Sequence, residues 1–212
     1  MTRVLLATRN LGKVAELQRL LTGHELVAAS YEPGPETGAT FAENALVKAV
    51  EGLRETGLPA VADDSGLRVD ALNGMPGVLS ARWAGRHGDD RANLELVLGQ
   101  LADVPDDRRG AEFVCAAAYA LPGGATHVVQ AVLRGVLLRA PRGTGGFGYD
   151  PVFVPDGHDR TTAEMAPADK DAISHRGQAF RLLAPLLARE LSTEVGRAHG
   201  GTRTPTPEGN GT

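Results

Sequence analysis

The chain has 212 residues, of which 42% are hydrophobic, 23% charged and 4% aromatic, as in ordinary globular proteins. Its single cysteine, Cys115, excludes an internal disulfide framework and any metal site built from several cysteines. A net charge of −4 provides no basic field for polymeric nucleic acid, although a small anionic ligand needs only local positive charge. The longest early apolar run, 4–7, is too short for a signal peptide or a membrane span, so we expect a cytoplasmic protein that binds no membrane.

The first half of the chain alternates between predicted strands and helices. A strand is expected over 4–8, and a second strand begins at Pro59 and runs into the sequence Asp63-Asp64-Ser65-Gly66. The helix between them opens with a capping box from Thr40 to Glu43, and Gly57 ends it. Another helix ends at Gly23, a further strand follows over 67–71, and Asp89 or Asp90 caps a helix that reaches Leu101.

The second half predicts a β-hairpin followed by a glycine-rich loop and one long helix. The hairpin pairs 112–121 with 127–138, and the loop spans 142–150. The helix runs from about Ser174 to Leu191, and Pro185 should kink it or end it early. We therefore expect an α/β fold with a mixed sheet, one domain over 1–192 and a disordered Gly/Thr/Pro-rich tail over 193–212.

Lysine is scarce, and all three lysines lie in segments that could bind an anion. The chain has 19 Arg but only Lys13, Lys48 and Lys170, and a compact ammonium is well suited to contact a phosphate. Lys13 lies in the strand-to-helix turn 8–13, where free N–H groups and the helix dipole favour phosphate. Lys48 follows Asn44 by four residues, so both could point into one cleft. The alternative is a codon bias that left three lysines at unrelated positions.

Four acidic residues are candidates for metal binding or for structural roles. Carboxylates suit Mg²⁺, and Asp63-Asp64 is placed at a strand's carboxyl end, where α/β folds bind ligands. Adjacent strand residues point to opposite faces, so these two cannot share a role unless a turn begins between them. The alternative is an Asx-type turn without a ligand. Glu43 is explained by its capping box, whereas Glu36 has no structural reason to be acidic.

Two later segments suggest contacts to a planar ligand. Four glycines surround Phe147 and Tyr149, which favours backbone close to a ligand and a ring that stacks on it, although a mobile loop is the alternative. Ser174 is a good helix N-cap, which places His175 and Arg176 at the helix start. Cations there are disfavoured by about 0.3–1 kcal/mol each, so we interpret them as facing a bound anion or carbonyl. The remaining histidines lack metal-ligand spacing, and a zinc site is not expected.

In their order and spacing, these segments resemble the inosine triphosphate pyrophosphatase family of non-canonical purine nucleotide pyrophosphatases. The most specific matches are Ala-Asp-Asp-Ser-Gly-Leu at 62–67, Gly-Gly-Phe-Gly-Tyr-Asp-Pro at 145–151 and Ile-Ser-His-Arg-Gly at 173–177. The resemblance extends from Met1 to about Leu191. Arg9 stands where many members have Gly, Pro185 interrupts the last helix, and the tail has no counterpart.

The resemblance implies a two-lobed fold around a long mixed sheet, usually a homodimer, with the active-site cleft between the lobes. It implies Mg²⁺-dependent hydrolysis of the α–β anhydride of ITP, dITP or XTP to the monophosphate and pyrophosphate, which removes these nucleotides before they enter DNA or RNA. Asp64 would activate water and share Mg²⁺ with Glu36. The residues that would contact the nucleotide are Thr8, Arg9, Asn10, Leu11, Gly12, Lys13, Lys48, Ser65, Phe147, Gly148, Tyr149, Asp150, Lys170, His175 and Arg176.

Three other readings remain at this stage. A Maf-like pyrophosphatase would keep the fold and prefer pyrimidine triphosphates, which the His175-Arg176 segment and the Phe147 loop disfavour. A catalytically silent nucleotide-binding protein would bind ITP without releasing pyrophosphate, and the retention of Glu36 and Asp64 weighs against it. A purely structural protein would leave the lysine positions and the glycine loop as coincidences.

Overall fold

The computed structural model describes the backbone of residues 2–200 and the side chains of residues 2–193. The strands are β1 (Arg3–Leu6), β2 (Glu25–Ala28), β3 (Ala60–Val69), β4 (Met75–Pro76), β5 (Gly110–Ala120), β6 (Thr126–Leu137) and β7 (Phe153–Pro155). The helices are α1 (Leu11–Leu20), α2 (Phe41–Thr56), α3 (Asp90–Gln100), α4 (Pro167–Ile173) and α5 (His175–Gly200). No helix of the described chain is both long enough and apolar enough to span a membrane.

All seven strands belong to one mixed sheet, which confirms the predicted α/β class. The order is β2-β1-β3-β5-β6-β7, and β4 pairs with the far end of β3. The pairs β1–β2 and β1–β3 are parallel, and the others are antiparallel. The predicted hairpin is confirmed as β5 and β6, paired from Gly110–Val136 to Ala120–Thr126.

Helices cover both faces of the sheet, and the side chains of β3 enter three hydrophobic clusters, one of which joins Leu67 and Val69 to α3. On one face, α1 and α5 pack against Val61, Cys115 and Ala117. On the other face, α2 packs against Ala62, Ala116 and neighbouring alanines. The capping box of α2 is present at Thr40 and Glu43, and Gly57 ends that helix with a positive φ of 70°, both as predicted.

The strand β3 is longer than the sequence predicts. The predicted division into one strand that runs into 63–66 and another over 67–71 is wrong, and the alternative turn is absent, because β3 continues through these residues and pairs with β5 along its whole length. Two Asp, a Ser and a Gly have low strand propensity, but pairing with a long neighbour satisfies their backbone groups. The parallel pairing with β1 stops at Leu6–Val61. Asp63 and Asp64 therefore lie in mid-strand, just past the last pair with β1.

The helix α5 also continues beyond its predicted end. Proline inside a helix costs about 3 kcal/mol, yet α5 passes Pro185 and extends to Gly200. Buried Phe180 and Leu183 before the proline, and Leu187 and Leu191 after it, pack on the same core, and their burial offsets the cost. Residues 193–200 of the expected tail are therefore helical, and residues 201–212 lie outside the described chain.

A short 3₁₀ segment, Gly77–Arg82, packs directly on β3 and forms one wall of the cleft described below. Ser80 Oγ accepts a hydrogen bond from the Leu67 amide at 2.9 Å, and its backbone carbonyl accepts one from the Tyr149 hydroxyl at 2.9 Å. A Cβ on Gly66 would come within 2.4 Å of Ser80 Oγ and 2.6 Å of the Gly77 carbonyl oxygen. The absence of a side chain at Gly66 is therefore what allows the segment to pack this closely.

We expect the Gly66→Ala substitution to lower the free energy of unfolding by about 1–3 kcal/mol, because the added methyl group has no space. Gly99→Ala is the matched control, since nothing lies within 4 Å of a Cβ at this helical position. It should raise the free energy of unfolding by about 0.5–1 kcal/mol, because alanine favours the helix. Urea denaturation measures the free energy of unfolding of both variants and of the parent. A Gly66→Ala protein as stable as the parent would contradict this packing.

Candidate active site

A cleft of about 830 Å³ opens beside β3, beyond the end of β1. Its lining includes residues of the turn before α1 and of the connection between β2 and α2, together with the side chain of Lys48. The end of the 3₁₀ segment, the glycine-rich loop, and residues of α4 and α5 also line it. The predicted residues that line the cleft are Thr8, Arg9, Asn10, Lys13, Glu36, Lys48, Asp64, Ser65, Phe147, Gly148, Tyr149, Asp150, Lys170, His175 and Arg176.

Asp64 points toward α2, where it meets Asn44 and Lys48. Its Oδ1 accepts a hydrogen bond from Lys48 Nζ at 3.1 Å, and its Oδ2 accepts one from Asn44 Nδ2 at 3.0 Å. The same Lys48 Nζ donates to Glu36 Oε1 at 2.9 Å. Asn44 and Lys48 thus share one face of α2, as their spacing predicted. One ammonium therefore holds together the two carboxylates that the sequence analysis assigned to a metal.

The pKa values of Asp64 and Glu36 are shifted in opposite directions. Burial raises the pKa of Asp64 above its ordinary value, and the nearby cations Lys48 and Lys13 offset this only in part. Burial also acts to raise the pKa of Glu36, but Lys48, Lys13 and Arg82 outweigh it and hold that pKa below its ordinary value. Asp64 is therefore the better proton acceptor of the two near neutral pH.

The described residues contain no cluster of three or more His, Cys, Asp or Glu side chains arranged to hold a metal ion. The donors available here are the carboxylates of Glu36 and Asp64. This pair fits Mg²⁺, which binds through one or two carboxylates and completes its shell with water and substrate phosphates. A cation already lies between them, because the Lys48 ammonium contacts both.

Asp63 points to the opposite face of the sheet from Asp64 and binds different residues. Its Oδ2 lies 3.0 Å from Lys13 Nζ and accepts hydrogen bonds from Arg176 Nη2 at 3.1 Å and Ser65 Oγ at 3.2 Å. Burial would raise the pKa of Asp63, but Lys13 and Arg176 lower it well below its ordinary value. The strand alternation therefore separates the roles of Asp63 and Asp64, as the sequence analysis required in the absence of a turn.

Glu16 on α1 is a buried acidic residue that the sequence analysis missed. It accepts hydrogen bonds from Lys170 Nζ at 2.9 Å and from the Arg176 guanidinium. Burial would raise the pKa of Glu16, but Arg176 and Lys170 outweigh it and lower the pKa. The available signal was spacing, because Glu16 follows Lys13 by three residues and so shares its helix face.

Arg176 and His175 correct the interpretation that cations at this helix start require a ligand. Arg176 is compensated within the protein by Asp63 and Glu16, and these carboxylates raise its pKa despite burial. Burial, reinforced by Arg176 and Lys170, lowers the pKa of His175 well below its ordinary value, so the imidazole is neutral. His175 stacks on Phe113 with ring centroids 4.8 Å apart.

In the glycine-rich loop, Phe147 and Tyr149 have different surroundings. Phe147 is half-buried at the cleft, with Lys170 Nζ 5.1 Å and the Arg176 guanidinium carbon 5.6 Å from its ring centre. Tyr149 is buried, and its hydroxyl donates to Ser80, so its ring is a packing element rather than a stacking surface. Asp150 Oδ2 accepts bonds from the Phe147 amide at 2.8 Å and Lys170 Nζ at 2.6 Å, which holds the loop against α4.

The segment 8–13, which spans the turn before α1 and the start of that helix, contains four residues that line the cleft and two that do not. Asn10 caps α1 by accepting a hydrogen bond from the Lys13 amide at 3.1 Å, and Arg9 forms an ion pair with Glu32. Leu11, expected to contact substrate, is 83% exposed and does not line the cleft. Gly12, also expected there, lies under the Phe147 ring, whose Cδ1 would be 2.7 Å from an added Cβ.

Arg82 is a second residue that the sequence analysis did not assign. Its Nη1 donates to Glu36 Oε2 at 3.0 Å, and its Nη2 donates to the backbone carbonyl of Glu36 at 3.1 Å. Nothing in the local sequence indicates this contact, because 46 residues separate the two partners.

Comparisons with known proteins agree with this architecture. A family model described as the Ham1 family matches residues 4–186. The dITP/XTP pyrophosphatase of Streptomyces coelicolor is 59% identical over 199 residues, covering 90% of this chain and 99% of that protein. The dITP/XTP pyrophosphatase of Nocardia farcinica is 60% identical over 197 residues, covering 89% of this chain and 96% of that protein.

Solved structures of Ham1 proteins and of a dITP/XTP pyrophosphatase also match this chain. The nucleoside-triphosphatase, dITP/XTP pyrophosphatase, of Mycobacterium abscessus is 58% identical with a TM-score of 0.71, covering 87% of this chain and all of that one. A HAM1 protein from Coxiella burnetii is 43% identical with a TM-score of 0.79, covering 89% of this chain and all of that one. Because the family model spans most of the residues and the relatives match along nearly their whole length, this chain belongs to the Ham1 family.

Proposed function

We propose that this protein is a nucleoside triphosphate pyrophosphohydrolase that converts ITP, dITP and XTP to the monophosphate and pyrophosphate. The observation that carries the proposal is the Glu36–Lys48–Asp64 cluster, which lines the same cleft as the Lys170, His175 and Arg176 group. The first group suits a metal-bound triphosphate and the second suits a base. The names of the relatives support the same activity.

Hydrolysis of the anhydride requires charge neutralisation and a positioned water molecule. Glu36 and Asp64 would hold Mg²⁺, which neutralises phosphate charge when it is bound. Lys13 and Lys48 would contact the triphosphate oxygens after exchanging part of their carboxylate contacts for phosphate. Asp64 would accept a proton from the water that attacks the α-phosphorus, and the bond to the α–β bridging oxygen then breaks to release pyrophosphate.

The other end of the cleft would select the base. Phe147, next to two cations, provides a ring face for a purine. The neutral His175, and Arg176 through an N–H group beyond those that bind Asp63, Glu16 and Ser65, would donate to a keto oxygen at position 6. Adenine carries an amino group there and would leave these donors unpaired, which costs about 1–3 kcal/mol. The Maf-like alternative has no support in this arrangement.

We further propose a homodimer, on the basis of the family resemblance.

The first test compares pyrophosphate release from ITP and from ATP by the same protein, with Mg²⁺ and with a chelator. We expect kcat/KM for ITP to exceed that for ATP by about ten-fold to a hundred-fold, because the buried donors discriminate against adenine. The chelator should abolish release from ITP. Equal turnover of ATP and ITP would contradict the base-selection argument. Tight ITP binding without pyrophosphate release would instead support the silent nucleotide-binding protein.

A second test asks whether a metal replaces the Lys48 ammonium. Lys48→Met leaves Glu36 and Asp64 without their shared cation, so the free energy of unfolding should fall by about 1–3 kcal/mol. Mg²⁺ alone should then stabilise the variant more than the parent, because it binds the exposed pair of carboxylates. Thermal unfolding with and without Mg²⁺ measures both effects. Equal stabilisation of the two proteins by Mg²⁺ would argue against a metal site at these carboxylates.

A further inference from the structure

Glu36 belongs to the irregular connection between β2 and α2, and this connection is anchored on either side of it. The Gly34 amide donates to both carboxylate oxygens of Glu51 at 3.1 Å, and the Gly38 amide donates to Asn44 Oδ1 at 2.8 Å. Both acceptors lie on α2. Neither anchor acts on Glu36 itself, so another contact must define where its carboxylate points.

Arg82 provides that contact through two separate bonds. One guanidinium nitrogen donates to the Glu36 carboxylate at 3.0 Å, and another donates to the Glu36 backbone carbonyl at 3.1 Å. For residues 35–37 of the described chain, this carbonyl bond is the only hydrogen bond to the backbone. A planar guanidinium fixes its donors relative to each other, so the two bonds together set both the backbone position and the direction of the carboxylate.

The backbone of Arg82 is itself held in place by the packing of its segment. It is the last residue of the 3₁₀ segment, which packs on Gly66 of β3 and is tied to the glycine-rich loop through Ser80 and Tyr149. The Arg82 carbonyl also accepts a bond from the Gly85 amide at 2.9 Å. Asp64 belongs to the same strand β3. By binding Glu36, Arg82 therefore holds Glu36 at a defined position relative to Asp64.

We propose that Arg82 is a positioning residue that holds Glu36 at the correct place and orientation to share a metal with Asp64. This inference rests on the proposed function, which supplies the metal. Lys48 contacts both carboxylates, but its ammonium is a rotating point donor and has no bond to the Glu36 backbone. A lysine at position 82 would supply a single point donor, so it would replace only part of the contact.

The first experiment measures the position of Glu36 without metal or nucleotide. A glutamate-specific protease cleaves after Glu36, at the carbonyl that Arg82 holds. Arg82→Met should increase the rate of cleavage at this bond by about ten-fold, and Arg82→Lys should have an intermediate effect. Arg134→Met is the matched control, because Arg134 likewise donates two hydrogen bonds to one acidic residue, in this case both to the carboxylate of Asp70, and does not line the cleft. Unchanged cleavage at Glu36 in Arg82→Met would overturn the proposal.

The second experiment measures the Mg²⁺ dependence of pyrophosphate release from ITP. In Arg82→Met, the Mg²⁺ concentration for half-maximal rate should rise by about ten-fold to a hundred-fold, with recovery of the rate at saturating Mg²⁺. Arg134→Met should match the parent. An unchanged Mg²⁺ requirement in Arg82→Met would overturn the role in metal binding. A parent protein that releases no pyrophosphate would refute the proposed function, while the protease experiment would still decide whether Arg82 holds Glu36.

Discussion

Asp63 and Asp64 are neighbours in β3, and the two-residue period of a strand sends their carboxylates to opposite faces of the sheet. On the α2 face, Asp64 shares the Lys48 ammonium with Glu36. On the face of α1 and α5, Asp63 binds Lys13 and Arg176. Three cations that line the cleft, Lys13, Lys48 and Arg176, each bind one of these two carboxylates, so the conformation of β3 determines how these cations are divided within the site.

The charges in the cleft are compensated before any substrate arrives. Lys13 is paired with Asp63, Lys48 with Glu36 and Asp64, and Lys170 with Glu16 and Asp150. Buried charges need such partners, because an uncompensated ion in a protein interior costs several kcal/mol. Binding of a metal and a triphosphate is therefore an exchange of ionic partners, in which phosphate replaces carboxylate at the lysines and the metal replaces ammonium at the carboxylates.

Much of the fold follows from local sequence signals. The capping box at Thr40, the stop at Gly57 and the hairpin around 122–124 depend on residues close together in the chain, and the structure has all three. Two elements extend beyond their predicted ends because tertiary packing outweighed local preference. Pairing with β5 carries β3 through Asp63 and Asp64, and burial on both sides of Pro185 carries α5 past the proline.

Less of the site than of the fold could be predicted from the sequence alone. Residue types and the scarcity of lysine identified the three lysines, Glu36 and Asp64, which all line the cleft, but not which of them are paired. The contacts of Glu16 with Arg176 and of Arg82 with Glu36 join residues 160 and 46 positions apart, and no local pattern encodes them. The compensation of Arg176 by two buried carboxylates could not be predicted either, and it removed the argument that this cation requires a ligand.

The measurement that tests this account most directly is single-turnover pyrophosphate release against ITP concentration, for the parent and for Asp63→Asn and Asp64→Asn proteins shown to be folded. Asp64→Asn should lower the maximal rate by about 10²–10⁴-fold and leave half-saturation near that of the parent, because Asp64 acts on the water. Asp63→Asn should raise the half-saturating ITP concentration by about ten-fold, because Lys13 and Arg176 lose their shared carboxylate. The same defect in both variants would contradict the division of roles between the two faces of β3.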